Sequence, residues 1–167
     1  GDDRRGDACA DAERDPHLPP LGSFGSYELL EEIGRGGMGV VYRAYQRAVN
    51  RIVALKVIRG DCLADVRHDS QTSAIDRFRT EAQAAGRLQH DHIVTVYDVG
   101  EVDGSPFIAM EYVKGNPLHR LARDQEMKAR EAARIVCEIS RAIDHAHEND
   151  VLHRDLKPHN VLVEESG

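Results

Sequence analysis

Cysteine is scarce and poorly spaced in this chain. Cys9, Cys62 and Cys137 are odd in number, far apart and without a C-x-x-C pair, which excludes a disulfide framework and a four-thiolate zinc site as organising features. Long apolar runs are missing too. Nowhere do about 18 uninterrupted apolar residues occur, and Gly1 to Asp15 is acidic and polar, without the apolar stretch behind a basic start that marks a signal peptide. No membrane segment is therefore expected within these residues, and a reducing, cytoplasmic setting fits best. Positive charge is also short: the net charge of -7 gives no global pull toward nucleic acid or an anionic membrane. What remains, 41% hydrophobic and 31% charged residues over 167 positions, is the make-up of one soluble globular domain.

Residues 1–25 combine charge, Pro19-Pro20 and glycines with no apolar period, and are expected to form a flexible polar leader. From Tyr27 two short β-prone runs, around Leu29 to Ile33 and Val40 to Tyr45, flank a glycine-rich turn, which predicts a hairpin. Arg51 to Ile58 is dense in β-branched residues and predicts another strand. After the polar stretch Arg59 to Ser73, the residues Ile75, Phe78, Ala82 and Ala85 form one helical stripe. Ile93 to Val99 and Phe107 to Val113 are strand-like and joined through Asp103-Gly104, a good hairpin pair. After Gly115, the spacing of Ala132, Val136, Ile139, Ile143 and Ala146 predicts a long amphipathic helix with those residues on its buried face.

Three places carry chemistry. Gly34-Arg35-Gly36-Gly37-Met38-Gly39 has the G-x-G-x-x-G spacing, which dinucleotide-binding proteins place before a helix. Here the third glycine runs into the strand Val40-Val41-Tyr42, so the segment is either an ordinary glycine-rich turn or a hairpin tip lying over phosphates. Lys56 shares a strand face with Ile52, Ala54 and Ile58. Its ammonium either snorkels to solvent or meets a carboxylate and a phosphate, small Ala54 leaving space for a flat ring. Glu81, about 60° from Phe78 on the helix, can supply that carboxylate or can sit at the surface. The third place is His153-Arg154-Asp155-Leu156-Lys157-Pro158-His159-Asn160, a proline-stiffened loop flanked by apolar runs. Asp155 can orient an attacking hydroxyl and accept its proton, Lys157 can neutralise a transferring phosphoryl group, and Asn160 can hold a divalent metal through its oxygen. His145-x-His147 lacks ligands at zinc spacing, and His90 and His92 suit capping or packing roles after the first helix.

In order and spacing these motifs resemble the protein-kinase signature over about Tyr27 to Val163: a glycine loop, V-A-L-K at Val53 to Lys56, a helix glutamate, and H-R-D-L-K-P-H-N. The resemblance is to bacterial members of the eukaryotic-type serine/threonine kinases, with Lys157 two residues after Asp155 matching that branch. It implies an α+β fold. A small antiparallel lobe with one packed helix, about 26–113, is followed by a helical second lobe that starts at 114 and is incomplete at 167. It further implies ATP with Mg²⁺ or Mn²⁺ as cofactors and protein Ser/Thr hydroxyls as acceptors. Lys56 would contact the α- and β-phosphates and pair with Glu81, and Asp155 would be the catalytic base. Met110 would be the gatekeeper, the Glu111 to Val113 backbone would bind the adenine edge, and Val41, Ala54 and Leu162 would enclose the ring.

Arg154 resembles kinases whose activation loop is ordered by a phosphate paired with this arginine. The D-F-G and A-P-E motifs of the family do not occur in these residues, so the chain by itself is expected not to turn over. A non-catalytic nucleotide-binding or interaction module is the alternative. The long helix is expected to need a cover for its apolar face, from later helices or a borrowed partner.

Overall fold

The computed structural model describes residues 21–37, 39–58, 80, 82–124 and 127–164. They fall into two compact units, Gly1–Gly86 with Val96–Tyr112, and Arg87–Thr95 with Val113–Gly167.

The first unit is a six-stranded antiparallel sheet. Its strands are β1 (Gly22–Phe24), β2 (Tyr27–Gly36), β3 (Gly39–Gln46), β4 (Arg51–Ile58), β5 (Val96–Val102) and β6 (Ser105–Glu111), in the order β1-β2-β3-β4-β6-β5. The β3–β4 connection turns through a 3₁₀ segment, Arg47–Val49, and Asn50 at φ 51°. The β5–β6 turn uses Asp103 at φ 50° and Gly104 at φ 75°, left-handed conformations that Asp, Asn and Gly adopt most readily. β5 and β6 begin and end a few residues away from the runs expected at Ile93 to Val99 and Phe107 to Val113. Ile93 lies in a bend, and Tyr112 and Val113 lie past the end of β6.

One sheet face is sealed by Tyr27, Ala44, Val53, Leu55, Phe107 and Ala109, with Phe24, Leu29, Val57 and Val102 packed around them. Phe24 and Tyr27 both meet the Phe107 ring edge-on, at centroid distances of 5.8 and 5.4 Å, contacts worth about 0.5–1.5 kcal/mol each beyond the area they bury. This packing corrects the reading of 1–25 as a flexible leader at its end: Gly22–Phe24 pairs with β2, because Phe24 has a core to enter. Residues 1–20 lie outside the described residues.

At one end of the sheet a polar network ties four strands together. The Tyr27 hydroxyl donates to Asp98 Oδ2 at 2.9 Å and receives Gln46 Nε2 at 3.3 Å. Arg51 Nε donates to Gln46 Oε1 at 2.8 Å, and its guanidinium lies 3.6 Å over the Tyr97 ring. Burial first, and the Asp98 carboxylate second, push the Tyr27 phenol above its ordinary range.

Of the helix expected around Ile75 to Ala85, residues 82–85 are helical, with Ala82 buried. Ile75, Phe78 and the stretch Arg59 to Ser73 lie outside the described residues.

In the second unit, β7 (Gly115–Pro117) pairs antiparallel with β8 (Leu162–Glu164). Helix α1 (Leu118–Asp124) follows β7, and α2 (Ala129–Glu148) supplies the long helix. A Cβ on Gly115 would run into the Val163 carbonyl oxygen, so the close β7–β8 approach requires glycine there. Helix α2 buries Ile135, Ala142 and Ala146 with Ile139 half-buried, a four-three-four spacing. The expected buried face is therefore rotated: Val136 is 61% exposed and lies about 100° from Ile135. The helix closes where the Asn149 N–H donates to the Ala146 carbonyl at 3.1 Å and the Asp150 N–H to the His147 carbonyl at 3.0 Å. No helix among the described residues is long and apolar enough to cross a membrane.

Candidate active site

The candidate residues divide between the two units. In the first unit, β2 and β3 pair Gly34 with Val41, Arg35 with Val40 and Gly36 with Gly39, so the glycines form the tip of a hairpin that continues as strand on both sides. A Cβ on Gly39 would collide with the Val57 carbonyl oxygen and approach Ile58 Cα to 3.1 Å, so β3 and β4 meet there at a distance only glycine permits. Around Gly36 and Gly37 an added Cβ would meet nothing within 4 Å, so both positions face open space. Arg35 Nε is held by Glu32 Oε1 at 2.8 Å. Met38 lies outside the described residues.

Strand register explains how Val41, Ala54, Lys56 and Met110 converge. Val41 stands opposite Lys56, and Ala54 stands opposite Met110. Directly paired residues share a face, as do residues two apart on one strand. Val41, Ala54, Lys56 and Met110 are therefore brought to one side of the sheet, the side opposite the Val53 and Leu55 core. Ala54 is buried and Lys56 half-buried. Among the described residues Lys56 has no carboxylate partner, and Glu81 lies outside them. Glu111 ends β6 paired with Val53, and Val113 lies in the middle of the three non-regular residues 112–114.

In the second unit, the catalytic-type loop runs from α2 into β8. The Asp155 N–H donates to the His153 carbonyl at 2.7 Å across Arg154, whose φ is 58°. This is a tight three-residue turn in a conformation that costs a non-glycine residue about 1–3 kcal/mol. Beyond it, Pro158–Asn160 forms a 3₁₀ turn, closed by the Asn160 N–H to the Lys157 carbonyl at 2.9 Å. The turn swings Asn160 back onto Asp155. Asn160 Nδ2 donates to the Asp155 carbonyl oxygen at 2.7 Å and to Oδ2 at 3.1 Å, and Lys157 Nζ lies 2.8 Å from the same Oδ2. Lys157 first, then Asn160, hold the Asp155 carboxyl below its ordinary range. Both partners of the ion pair are well exposed, so it orients the carboxylate more than it stabilises the fold.

Among the described residues, Asp155 Oδ1 and Asn160 Oδ1 have no partner. One is a carboxylate oxygen able to accept a proton, and the other an uncommitted amide oxygen. Asn160 Oδ1 is a hard oxygen donor of the kind that suits Mg²⁺ or Mn²⁺, but the described residues hold no group of three or more His, Cys, Asp or Glu side chains placed for a metal ion. Leu162 opens β8, opposite Pro117, and is 43% exposed. A depression of about 490 Å³ on the α1 side, lined by Asn116, Arg120, Leu121, Arg123 and Asp124, includes none of these residues.

Sequence reasoning missed His119. Its ring stacks on that of His159 at 3.9 Å and 12°, a contact across 40 positions that no local pattern announces. The histidines read as packing groups do pack: the His90 ring lies 5.2 Å from His145 and 5.6 Å from His92, whose N–H donates to His90 Nδ1 at 3.0 Å.

A sequence profile described as protein kinase domain matches residues 27–167. The chain is 42% identical over 144 residues to the serine/threonine-protein kinase PrkC of Bacillus subtilis, covering 86% of this chain and 21% of that one. It is 44% identical over 140 residues to the serine/threonine-protein kinase pkn3 of Myxococcus xanthus, covering 83% and 24%. The chain thus spans about a fifth to a quarter of these relatives' length. A crystal structure of the Mycobacterium tuberculosis PknI kinase domain superimposes with a TM-score of 0.73 at 33% identity, covering 88% of this chain and 59% of that one.

Proposed function

The chain belongs to the serine/threonine protein kinase family, and from that premise we propose that it carries the ATP-binding and catalytic-loop part of the machinery that transfers the γ-phosphoryl group of ATP to serine or threonine hydroxyls of protein substrates, these residues alone binding nucleotide without turnover because the D-F-G and A-P-E motifs are not among them. The observation that carries this reading is the Asp155 carboxylate, with one oxygen fixed by Lys157 and Asn160 and the other open.

Each residue then has a task. On the first unit, Val41 and Ala54 take the adenine ring beside the gatekeeper Met110, and the Glu111 to Val113 backbone binds its edge. Gly36 and Gly37 let backbone approach phosphates, and Lys56 places its ammonium on the α- and β-phosphates with Glu81 as its carboxylate partner. On the second unit, Leu162 is an adenine contact and Asn160 Oδ1 is a metal ligand. Bound Mg²⁺ or Mn²⁺ offsets phosphate charge. Asp155 Oδ1 accepts the proton of the acceptor hydroxyl as its oxygen bonds to the γ-phosphorus and the bond to the departing ADP oxygen breaks. Lys157, already beside Asp155, neutralises charge on the group in transit. ATP and its metal are cytoplasmic supplies, and the reaction is assigned to that compartment.

Two measurements test the reading. Calorimetry should show saturable Mg·ATP binding that is lost in Lys56→Met, and in a chain extended with the family's D-F-G and A-P-E motifs labelled γ-phosphate should reach protein serine or threonine by a route that Asp155→Asn removes. Binding without transfer in that extended chain would support a nucleotide-binding module instead, and no binding at all would overturn the nucleotide reading.

A further inference from the structure

The catalytic-type loop is braced on one side by its own hydrogen bonds and on the other by α1. The Leu118 N–H donates to the Val161 carbonyl at 2.8 Å, immediately after the 3₁₀ turn. One residue along, the His119 ring lies flat against His159, the middle residue of that turn. The next residue, Asn160, is the one whose side chain holds Asp155. We propose that His119 is a positioning residue: its flat ring fixes the Pro158–Asn160 turn, and through the turn it fixes the Asn160 clamp on Asp155. The inference rests on the kinase reading for the importance of that clamp, but not for the existence of the device.

Two further observations support it. The His119 Nδ1 atom is buried with no hydrogen-bond partner among the described residues, so the side chain is kept for its shape and flatness and not for a polar contact. Burial first, and then the neighbouring His159, Arg120 and Arg123, disfavour a charge on His119. A neutral ring can approach another ring face to face without the repulsion between two cations. β7 and β8 anchor both ends of this arrangement, Pro117 standing opposite Leu162, so a change at position 119 reaches the turn without unravelling the strands.

The test compares His119→Ala, His119→Leu and His119→Phe in this chain, reading hydrogen exchange of the Asn160 side-chain amide by NMR, with thermal unfolding as the check on folding. Wild type and His119→Phe should protect the amide, and Phe should also raise the melting temperature, since it removes the unpartnered nitrogen. Ala and Leu should speed exchange about tenfold, the loss of roughly one hydrogen bond. Full protection in Leu would overturn the proposal, because any bulk would then serve. So would protection in Ala, or loss in Phe. Should the His119 variants fail to fold, His159→Ala, at an exposed position, removes the same stack, and unchanged exchange there would also overturn it. In phosphoryl transfer by a chain extended with the family's D-F-G and A-P-E motifs, His119→Ala should lower kcat and leave the KM for ATP unchanged. Normal transfer with normal exchange in His119→Ala would sink this inference and leave the kinase reading intact. Failure to bind Mg·ATP would do the reverse.

Discussion

At Asp155, two donors crowd one carboxylate oxygen and leave the other open, and this asymmetry has a measurable signature. Removing the stronger donor in Lys157→Met should let the Asp155 pKa rise toward the ordinary value of about 3.9, observable as a shift of its carboxyl carbon titration. A depressed folded-state pKa means that whatever stability the contact gives is present above the unfolded pKa and is lost as pH falls through the folded one. The base should therefore stay ionised throughout the neutral range, and in a chain extended with the family's D-F-G and A-P-E motifs Asp155→Asn should cost transfer about 10²–10⁴-fold. Tyr27 has the opposite sign. Its phenol pKa is raised, so its contribution is complete below pH about 10 and is lost above it, as the unfolded phenol ionises. Tyr27→Phe should cost about 1–2 kcal/mol in urea unfolding and flatten that alkaline loss. The Asp155, Lys157 and Asn160 constellation was legible because all three residues fall within one short loop. The Tyr27–Asp98 bond and the His119–His159 stack were not, because 71 and 40 positions separate their partners.

Among the elements, β4 and α2 show where pattern reading works and where it slips. The density of β-branched residues in Arg51 to Ile58 located the strand and its period of two put Ala54 and Lys56 on one face, but Ile52, Ala54 and Ile58 are buried along with Val53 and Leu55. A strand covered on both faces has no polar side to reveal which face meets the core. In α2 the apolar residues span a wide arc, and spacing alone chose its edge, with Val136, over its centre at Ile135. Paired substitutions check the rotation: Ile135→Ala should cost about 2–5 kcal/mol, whereas Val136→Ser should stay within about 0.5 kcal/mol. β1 escaped notice because three residues with a glycine carry no period. The glycine hairpin was legible as a turn, but not the reason for its third glycine, which lies in the carbonyl of a strand more than fifteen residues away. Gly39→Ala should destabilise by about 1–3 kcal/mol through overpacking against Val57, and Gly36→Ala, facing open space, should cost much less.

For the molecule as a whole, the sequence announced a sheet-rich part followed by a helical part, and the family profile and solved relatives agree with a kinase fold. Nothing local announced that residues 87–95 group with the second unit although strands of the first unit lie on both sides of them. Such grouping depends on contacts formed at long range, which periodicity does not encode. The unequal packing of the two units predicts unequal protection. Amides of Val53, Leu55 and Ala109, all at 0% exposure, should be among the slowest to exchange by NMR, and those of the exposed loop around Leu152 to Leu156 among the fastest.

Strand order also matters while the chain is being made. β4 is flanked by β3 and β6, and β6 begins at Ser105, 47 residues after β4 ends at Ile58. At about 5–20 residues per second, a ribosome needs roughly 2 to 10 seconds to supply the strand that covers that edge. During this interval the nascent hairpins present the β-branched residues of β4 along an unpaired backbone, a template for pairing with a neighbouring polypeptide. Translation speed over residues 59–104, and chaperone occupancy there, should therefore govern how much of this protein reaches its folded state.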